Sequence, residues 1–445
     1  MKFKDFPQAV IDENVDYTVH EITNVIKRYG PRESGNKNCL ATQKHIDKEM
    51  KPFCDETGFE SYKMAPKAFL HFTKTVSVVI ILAVVVCLGL VYTGVISGIG
   101  GSDFFLPQCI VGGVIAIGLF ITAMEFLLYK QFCDVFYKKI DGHNYYAVRK
   151  PQGEVKRRII ISGHCDSAYQ WRHLYYAKGK IPLMGICMGG TIGGAFISVI
   201  IAIIAIIANF VDMGAFGDFM VNYSFYFHII TALFMVTLYL FVDFNTISPG
   251  ANDNLTGTYS AVCALRMLDM AGVEFENTEV VAMITDGEEA GLRGCKDWAK
   301  KHKDEYTNSG VETAVLCVDT LTDLDYLNVY SRDMTGTVKH SQPFSQLVMD
   351  SAKEAGHDDL KFANVFFGSS DAAAFTQEGI TATCLAAMDP TPADYYHNVR
   401  DNYDRLVPEA IKTGYEVILS TIFNFDEKGL KSVSYTHLTL PTIYS

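Results

Sequence analysis

Four long apolar blocks interrupt an otherwise mixed chain of 445 residues. They cover about residues 76–97, 108–129, 181–210 and 221–242, and Glu125 is the one charged residue inside them. A helix needs about 20 residues to cross a hydrocarbon core of ~30 Å, so each block is long enough to span a membrane. Any single block also fits a buried core helix, but four blocks of this length favour membrane spans.

The blocks come in two pairs, which predicts two membrane hairpins. The loops at the turn of each pair, residues 99–107 and 211–222, contain no Lys or Arg. The other ends are flanked by basic residues: Lys67, Lys74, Lys130, Lys138, Lys139, Arg172, Lys178 and Lys180. By the positive-inside rule we expect the soluble segments of an integral membrane protein, in the cell membrane, to face the cytoplasm.

Outside the blocks, short apolar runs alternate with segments of helical periodicity. The strands are predicted at 59–64, 158–162, 280–284, 314–318, 362–365 and 381–386. The helices are predicted at 15–28, 41–57, 254–270, 295–305, 343–355, 371–378 and 408–423. Such alternation predicts an α/β fold: a mixed, mostly parallel sheet with helices on both faces.

The pattern divides the chain into one soluble domain and two insertions. We predict a discontinuous domain of residues 1–67, 130–180 and 243–431, with transmembrane hairpins at 76–129 and 181–242. Residues 432–445 fit no preceding pattern, and we expect a translated library-adapter sequence there rather than native chain.

Composition narrows the partners and the compartment. The net charge is −12 and no long basic run occurs, which argues against nucleic acid as a partner. Eleven cysteines occur without a CxxC pair, as is typical of free thiols in a reducing compartment. The lipid bilayer is therefore the partner that the pattern itself indicates, and the oligomeric state is left open.

Two adjacent acids, Glu288 and Glu289, lie between the strand 280–284 and the helix 295–305. Open α/β sheets bind ligands outside the carboxyl ends of their strands. Paired acids at that edge suit a metal ligand beside a general base. Taken alone, they are better explained by the favourable interaction of acids with a helix dipole.

Other ligand-capable residues also follow predicted strands or precede predicted helices: His164, with Asp166 two residues later, Asp253, Asp319 and His397. Each has an ordinary explanation by itself, such as a surface histidine, a helix N-cap or a turn. Together with the paired acids they form a set at one edge of one sheet. Such a set suits two divalent metals that share a carboxylate.

The order of these motifs resembles the di-zinc aminopeptidases of metallopeptidase family 28, which include aminopeptidase Y and bacterial leucyl aminopeptidases. The resemblance is carried by GHCD at 163–166, PGANDNLTG at 249–257, DGEEAGL at 286–292, VD at 318–319, SD at 370–371 and YH at 396–397. The segment YGPR at 29–32 also resembles the opening helix region of the family. The similarity covers about residues 17–67, 133–180 and 245–425.

The resemblance implies a role for each matching residue. Asp253 would bridge two Zn²⁺ ions. His164 and Asp319 would complete one metal site, and Glu289 and His397 the other. In catalysis Glu288 would be the general base, Tyr396 would donate a hydrogen bond to the developing oxyanion, and Asp166 would hold His164 in its ligating tautomer.

We therefore expect a membrane-embedded zinc metallopeptidase that acts on peptides, most simply as an aminopeptidase. Alternatives are a catalytically silent receptor or scaffold, a transporter whose path involves Glu125 and His228, and another activity of the same fold: dipeptidase, carboxypeptidase or glutaminyl cyclase. We expect structural roles for Glu125 and His228, since two simple hairpins show no broken-helix repeat. Two features depart from the family pattern: the Leu255–Thr256 pair after Asp253, and a hairpin inserted between His164 and Asp253.

Overall fold

A central sheet with helices on both faces organises the soluble part of the computed structural model, which describes residues 2–178, 181–365, 368–391 and 393–430. The segment 432–445 lies outside the described residues. Within them, the strands are β1 (Glu56–Met64), β2 (Ile140–Arg149), β3 (Arg157–His164), β4 (Tyr169–Trp171), β5 (Val242–Ile247), β6 (Thr278–Thr285), β7 (Glu312–Leu321), β8 (Leu327–Asp333), β9 (Val338–Lys339), β10 (Phe362–Asn364) and β11 (Ala382–Ala387).

The main sheet has the order β1-β2-β6-β3-β7-β11-β8-β10, with β9 paired to β8. Its centre is parallel, because β3 pairs in parallel with both β6 and β7, and β7 pairs in parallel with β11. Antiparallel pairs occur towards the edges, between β1 and β2, between β2 and β6, and between β8 and β11. The predicted fold class, a mixed and mostly parallel α/β sheet, is confirmed.

The helices follow the predicted alternation. They are α1 (Gln8–Tyr29), α2 (Lys37–Met50), α3 (Ala68–Tyr92), α4 (Phe105–Thr122), α5 (Arg172–Ala177), α6 (Ile181–Met188), α7 (Gly194–Ala208), α8 (Gly214–Leu240), α9 (Gly257–Met270), α10 (Arg293–Asn308), α11 (Gln342–Glu354), α12 (Asp371–Gln377) and α13 (Pro408–Lys428). A π-helical turn extends α4 to Leu127, and another joins α6 to α7.

Alternating side chains of β3 divide the interior into two apolar cores. Ile159 and Ile161 belong to the core that contains α9 and α13, whereas Ile160 belongs to the core on the opposite face. This follows from the two-residue repeat of a strand, which points successive side chains to opposite faces. The second core continues into the apolar helices, so one apolar cluster connects these helices to the sheet.

Within the described part of the chain, four helices are long and apolar enough to cross a membrane: Ala68–Tyr92, Phe105–Leu127, Gly185–Ala208 and Gly214–Leu240. In the bundle, α3 contacts α4 and α8, and α7 contacts α4 and α8. Large apolar side chains cover the outer surface; Leu82, Ile117 and Leu233 are 55, 62 and 65% exposed. Exposed apolar surface of this extent is typical of a membrane or protein contact.

Several boundaries differ from the predicted ones. The first apolar helix begins at Ala68 instead of residue 76, because Phe69 and Leu70 continue the helix into the protein body, where they are buried. The helix predicted for 41–57 ends at Met50, since β1 begins six residues later. The predictions omitted β2 and β8, which pair with β6 and β11 respectively.

Candidate metal centre

The carboxyl ends of the central strands bring the predicted residues together. His164 ends β3 and lies opposite Thr285, the last residue of β6. Glu288 and Glu289 follow in the loop between β6 and α10, and Asp319 lies near the end of β7. Parallel neighbours end at the same edge of a sheet, so these residues converge although they are far apart in the sequence.

Asp253 stands in the segment before α9, in a backbone conformation that is not helical. The predicted helix start at residue 254 is therefore wrong; α9 begins at Gly257. The Asn254 side chain accepts a hydrogen bond from Gly257 N at 2.9 Å and donates to Val318 O at 2.9 Å. Asn254, linked to Asp253 by a cis peptide bond, thus anchors the segment and leaves the Asp253 carboxylate turned to the two histidines.

The Asp253 carboxylate lies between the two histidines. Its Oδ1 is 3.3 Å from His164 Nε2, and its Oδ2 is 3.1 Å from His397 Nε2. His397 Nε2 is also 3.4 Å from Glu289 Oε2. Among the described residues, four sets of three side chains have ligand atoms within 4.8 Å of one another. Three lie in this cluster: His164, Asp253 and Asp319; Asp253, Glu289 and His397; and His164, Glu288 and Glu289. The fourth, Glu21, His45 and Glu49, contains none of the predicted site residues.

These distances fit two tetrahedral metal sites that share Asp253. Zinc–nitrogen and zinc–oxygen bonds of ~2.0–2.1 Å at tetrahedral angles place neighbouring ligand atoms about 3.3 Å apart. Among the described residues, His164 Nε2, Asp253 Oδ2 and Glu289 Oε1 are buried without a hydrogen-bond partner. Buried polar atoms rarely remain unpartnered, and metal coordination would satisfy all three.

The concentration of buried carboxylates in the cluster also favours cation binding. Burial, together with the nearby Asp253 carboxylate, raises the pKa of Asp319 to about 7. Burial and neighbouring carboxylates likewise raise the pKa of Glu288 and Glu289 well above the usual value. The pKa of Asp253 is lowered: burial opposes ionisation, but the close contacts of its carboxylate with His164 and His397 outweigh the effect of burial. Two divalent cations would stabilise all these carboxylates in their ionised form.

Glu288 and Tyr396 both line the cleft that contains the candidate ligands. Neither belongs to the two sets that share Asp253, although Glu288 also forms a set with His164 and Glu289. Glu288 Oε2 lies 3.9 Å from His164 Nε2. The Tyr396 ring stacks on the His397 ring at a centroid distance of 3.8 Å. These positions suit groups that touch a bound substrate rather than groups that only hold a metal.

Asp166 contacts the site differently from the expectation. His164 Nδ1 hydrogen-bonds the Asp166 backbone carbonyl at 3.1 Å, and the Asp166 carboxylate is farther away, at 3.5 Å. That carboxylate accepts hydrogen bonds from the backbone N–H groups of Glu288 (3.3 Å) and Glu289 (3.1 Å), and from Ser34 Oγ (2.6 Å). Asp166 therefore orients the loop of the paired acids as well as the histidine.

Two further residues, Asp401 and Arg32, hold the backbone of the segments that carry candidate ligands, and neither was predicted to do so. Asp401 is fully buried and accepts hydrogen bonds from Asn252 N at 2.8 Å and Asp253 N at 3.1 Å. Arg32 is also fully buried and donates to Cys165 O at 2.7 Å and Gly250 O at 2.7 Å. It thus links the segments on either side of the second hairpin. In the sequence, Arg32 could have been noticed from its place in the YGPR segment. Asp401 could have been noticed because it lies four residues after His397.

Comparisons with known proteins identify a similar family and similar folds. A family model, described as Peptidase family M28, matches residues 237–422, a segment that contains Asp253, Glu288, Glu289, Asp319 and His397. The resemblance to peptidase family M28 is confirmed. His164 and Asp166 precede the matched segment. No curated protein matches the sequence.

Several solved structures are similar in fold to this chain. A glutaminyl cyclase from an Acidobacteriales bacterium has 14% identity and a TM-score of 0.52, covering 94% of this chain and 96% of its own. The zinc aminopeptidase BSAP from Bacillus subtilis has 12% identity and a TM-score of 0.51, covering 92% and 94%. An aminopeptidase from Aneurinibacillus sp. strain AM-1 has 14% identity and a TM-score of 0.50, covering 95% and 94%. At such identities the likeness concerns the fold alone.

Proposed function

We propose that this chain is a membrane-embedded, two-zinc peptidase that acts as an aminopeptidase. The observation that carries the proposal is the Asp253 carboxylate, placed between His164 and His397 at 3.3 and 3.1 Å, with Glu288 beside it in the cleft. His164, Asp253 and Asp319 would hold one ion, and Asp253, Glu289 and His397 the other. When bound, the ions would polarise the scissile carbonyl and lower the pKa of water.

The residues of the chain supply the proton transfers and the orientation. Glu288 would accept a proton from the attacking water and pass it to the leaving amine. The Asp166 carboxylate accepts a hydrogen bond from the backbone N–H of Glu288, which supports this role by holding the segment that carries the side chain. Tyr396 would donate a hydrogen bond to the oxyanion as charge develops on it.

The catalytic proposal is tested with purified full-length protein, zinc and a panel of aminoacyl and dipeptide substrates. We expect release of N-terminal residues. Zinc-loaded protein that hydrolyses none of the panel would favour the receptor or scaffold alternative. Cleavage from the carboxyl end, or cleavage of dipeptides alone, would indicate a carboxypeptidase or dipeptidase on the same fold. Cyclisation of N-terminal glutamine, included because one structural neighbour is a glutaminyl cyclase, would replace the proposed hydrolysis.

We also propose that the metal centre faces the cytoplasm, as the distribution of Lys and Arg around the four apolar helices indicates. A cysteine in place of exposed Lys303 should resist an impermeant thiol reagent added outside intact cells. The matched control is Asp212→Cys, in the exposed turn between α7 and α8, which should be labelled. The opposite labelling pattern would place the metal centre outside the cytoplasm.

A further inference from the structure

The lining of the substrate cleft is chemically mixed. It includes candidate metal ligands and Glu288. It also includes an apolar set: Phe69, Leu70, Phe126, Tyr129 and Leu174. The first four come from the ends of the first two apolar helices or from residues next to them, and Leu174 comes from α5. The first hairpin thus contributes an aromatic wall, Phe69, Phe126 and Tyr129, to the cleft that contains the candidate catalytic residues.

The aromatic wall is fixed to the loop that carries the paired acids. The Phe69 ring stacks on Phe126 at 5.6 Å and contacts Tyr129 at 4.8 Å, measured between ring centroids. It also packs against Gly291, where an added Cβ would come within 2.7 Å of the ring. Gly291 donates a hydrogen bond to the Glu288 carbonyl at 2.8 Å. The distance between the wall and Glu288 is therefore set by direct packing.

The position of the wall along the helices places it at a membrane surface. Phe69 lies in the first turn of a 25-residue apolar helix, and Phe126 in the last turn of one with 23 residues. At 1.5 Å per residue these helices are about 37 and 34 Å long, compared with a hydrocarbon core of ~30 Å. Their first and last turns consequently lie in the interfacial layer, and so does the aromatic wall.

We propose that the cleft takes peptides held at the bilayer surface by an apolar tail, with a large apolar residue at the scissile bond lying against the aromatic wall. This proposal rests on the peptidase function proposed above. The cavity, about 210 Å³, suits one or two residues of a peptide and not a folded domain. A polar N-terminal side chain would lose its hydration against Phe69 and Phe126 without gaining a hydrogen bond from them.

The test uses the full-length zinc-loaded protein in phosphatidylcholine vesicles and four peptides. The peptides begin with leucine or alanine and end in either an apolar tail that partitions into the vesicles or a polar tail. We expect kcat/KM to favour leucine over alanine by about tenfold or more, as expected for several methylene groups in an apolar subsite. We expect the apolar tail to be favoured over the polar tail by a similar factor.

Variants separate the wall from general effects of the membrane. Phe126→Ala should lower the leucine-to-alanine ratio of kcat/KM by about tenfold. Phe126→Leu, which keeps an apolar side chain, should lower the ratio less and serves if Phe126→Ala does not fold. The matched control is Phe216→Ala, on α8, where the ring is 50% exposed and remote from the cleft. It should leave the ratio and the tail preference unchanged.

The outcomes distinguish the two proposals. If the wild-type protein hydrolyses none of the four peptides, the peptidase function fails. If it hydrolyses all four equally, or if folded Phe126 variants keep the wild-type ratio, the peptidase function stands and the role of the wall is overturned. A loss of the ratio in Phe216→Ala equal to that in Phe126→Ala would also overturn it.

Discussion

Replacement of Arg293 by methionine should strongly destabilise the protein, because this side chain neutralises buried acids where the first hairpin meets the soluble part. Arg293 begins α10, four residues after Glu289, and is 2% exposed. Its Nη2 lies 3.0 Å from Glu125 Oε1, and Glu125 is 1% exposed. The guanidinium also donates to Asp134, and Lys296 is close by. Loss of Arg293 therefore leaves the buried Glu125 carboxylate and the neighbouring Asp134 without their guanidinium partner.

The magnitude follows from the burial of the pair. Removal of one partner of a buried ion pair costs about 3–5 kcal/mol, since the remaining charge has no compensation. Glu125→Gln should cost less, about 1–2 kcal/mol, because glutamine still accepts hydrogen bonds from Arg293 and from Cys133 N, which donates to Glu125 at 2.8 Å. The double variant should cost less than the sum of the two single variants, by roughly 0.5–3 kcal/mol.

The assay is denaturant unfolding in mild detergent, followed by tryptophan fluorescence. The matched control is Lys412→Met, which breaks an exposed pair with Asp12 at 2.7 Å and should change the unfolding free energy little. An effect of Arg293→Met as small as that of the control would refute the reasoning. Strict additivity of the Glu125 and Arg293 variants would show that the two side chains act independently.

Three further predictions concern single buried groups. Arg32→Met should destabilise the protein by at least ~3 kcal/mol in the same unfolding assay, because buried carbonyls on both sides of the second hairpin lose a charged donor. Arg32→Lys should recover part of this loss of stability, and no recovery would contradict the role of the positive donor. Asp401→Asn should weaken zinc binding about tenfold or more in competition with a chelator, since Asp401 fixes the backbone of Asp253; unchanged affinity would exclude that role. Burial, with the positive charge of Arg293, lowers the pKa of Lys296 from 10.5 to about 7. Between about pH 7 and 10 the folded state therefore binds fewer protons than the unfolded state, and the contribution of Lys296 to the free energy of unfolding should rise with pH. Unfolding measured against Lys296→Met should show that the difference between the two proteins changes with pH, and a constant difference would contradict it.

The sequence pattern predicted those strands and helices whose formation depends on residues close together in the chain. The apolar runs at β3, β6 and β7 are buried on both faces of the sheet, and such strands are recognisable without knowledge of their partners. Strand β2, next to the edge strand β1, has the sequence IDGHNYYAVR, which alternates irregularly. Its pairing with β1 and β6 depends on distant segments. Antiparallel additions of this kind leave little local signal.

The candidate site divides in the same way. The location of His164, Glu289 and Asp319 at one edge of the sheet was predictable, because each lies at or after the end of a recognisable buried strand. Their proposed roles came from the order of the motifs. The contacts that orient these residues were not predictable, since Arg32 reaches carbonyl groups more than 130 residues away and Asp401 reaches the backbone of a segment 148 residues earlier. The contacts of the Asp166 carboxylate were not predictable either, because its partners are backbone N–H groups of Glu288 and Glu289, 122 and 123 residues later in the chain.

The most direct test of the account compares peptide hydrolysis by the wild-type protein and by Glu288→Gln at equal, measured zinc content. The substitution keeps the size of the side chain and leaves both proposed ligand sets intact, but removes the proton acceptor. We predict about two zinc ions per chain in both proteins and a loss of kcat in the variant of about 10²–10⁴-fold or more. Equal turnover by the two proteins would contradict the assignment of Glu288 as the general base.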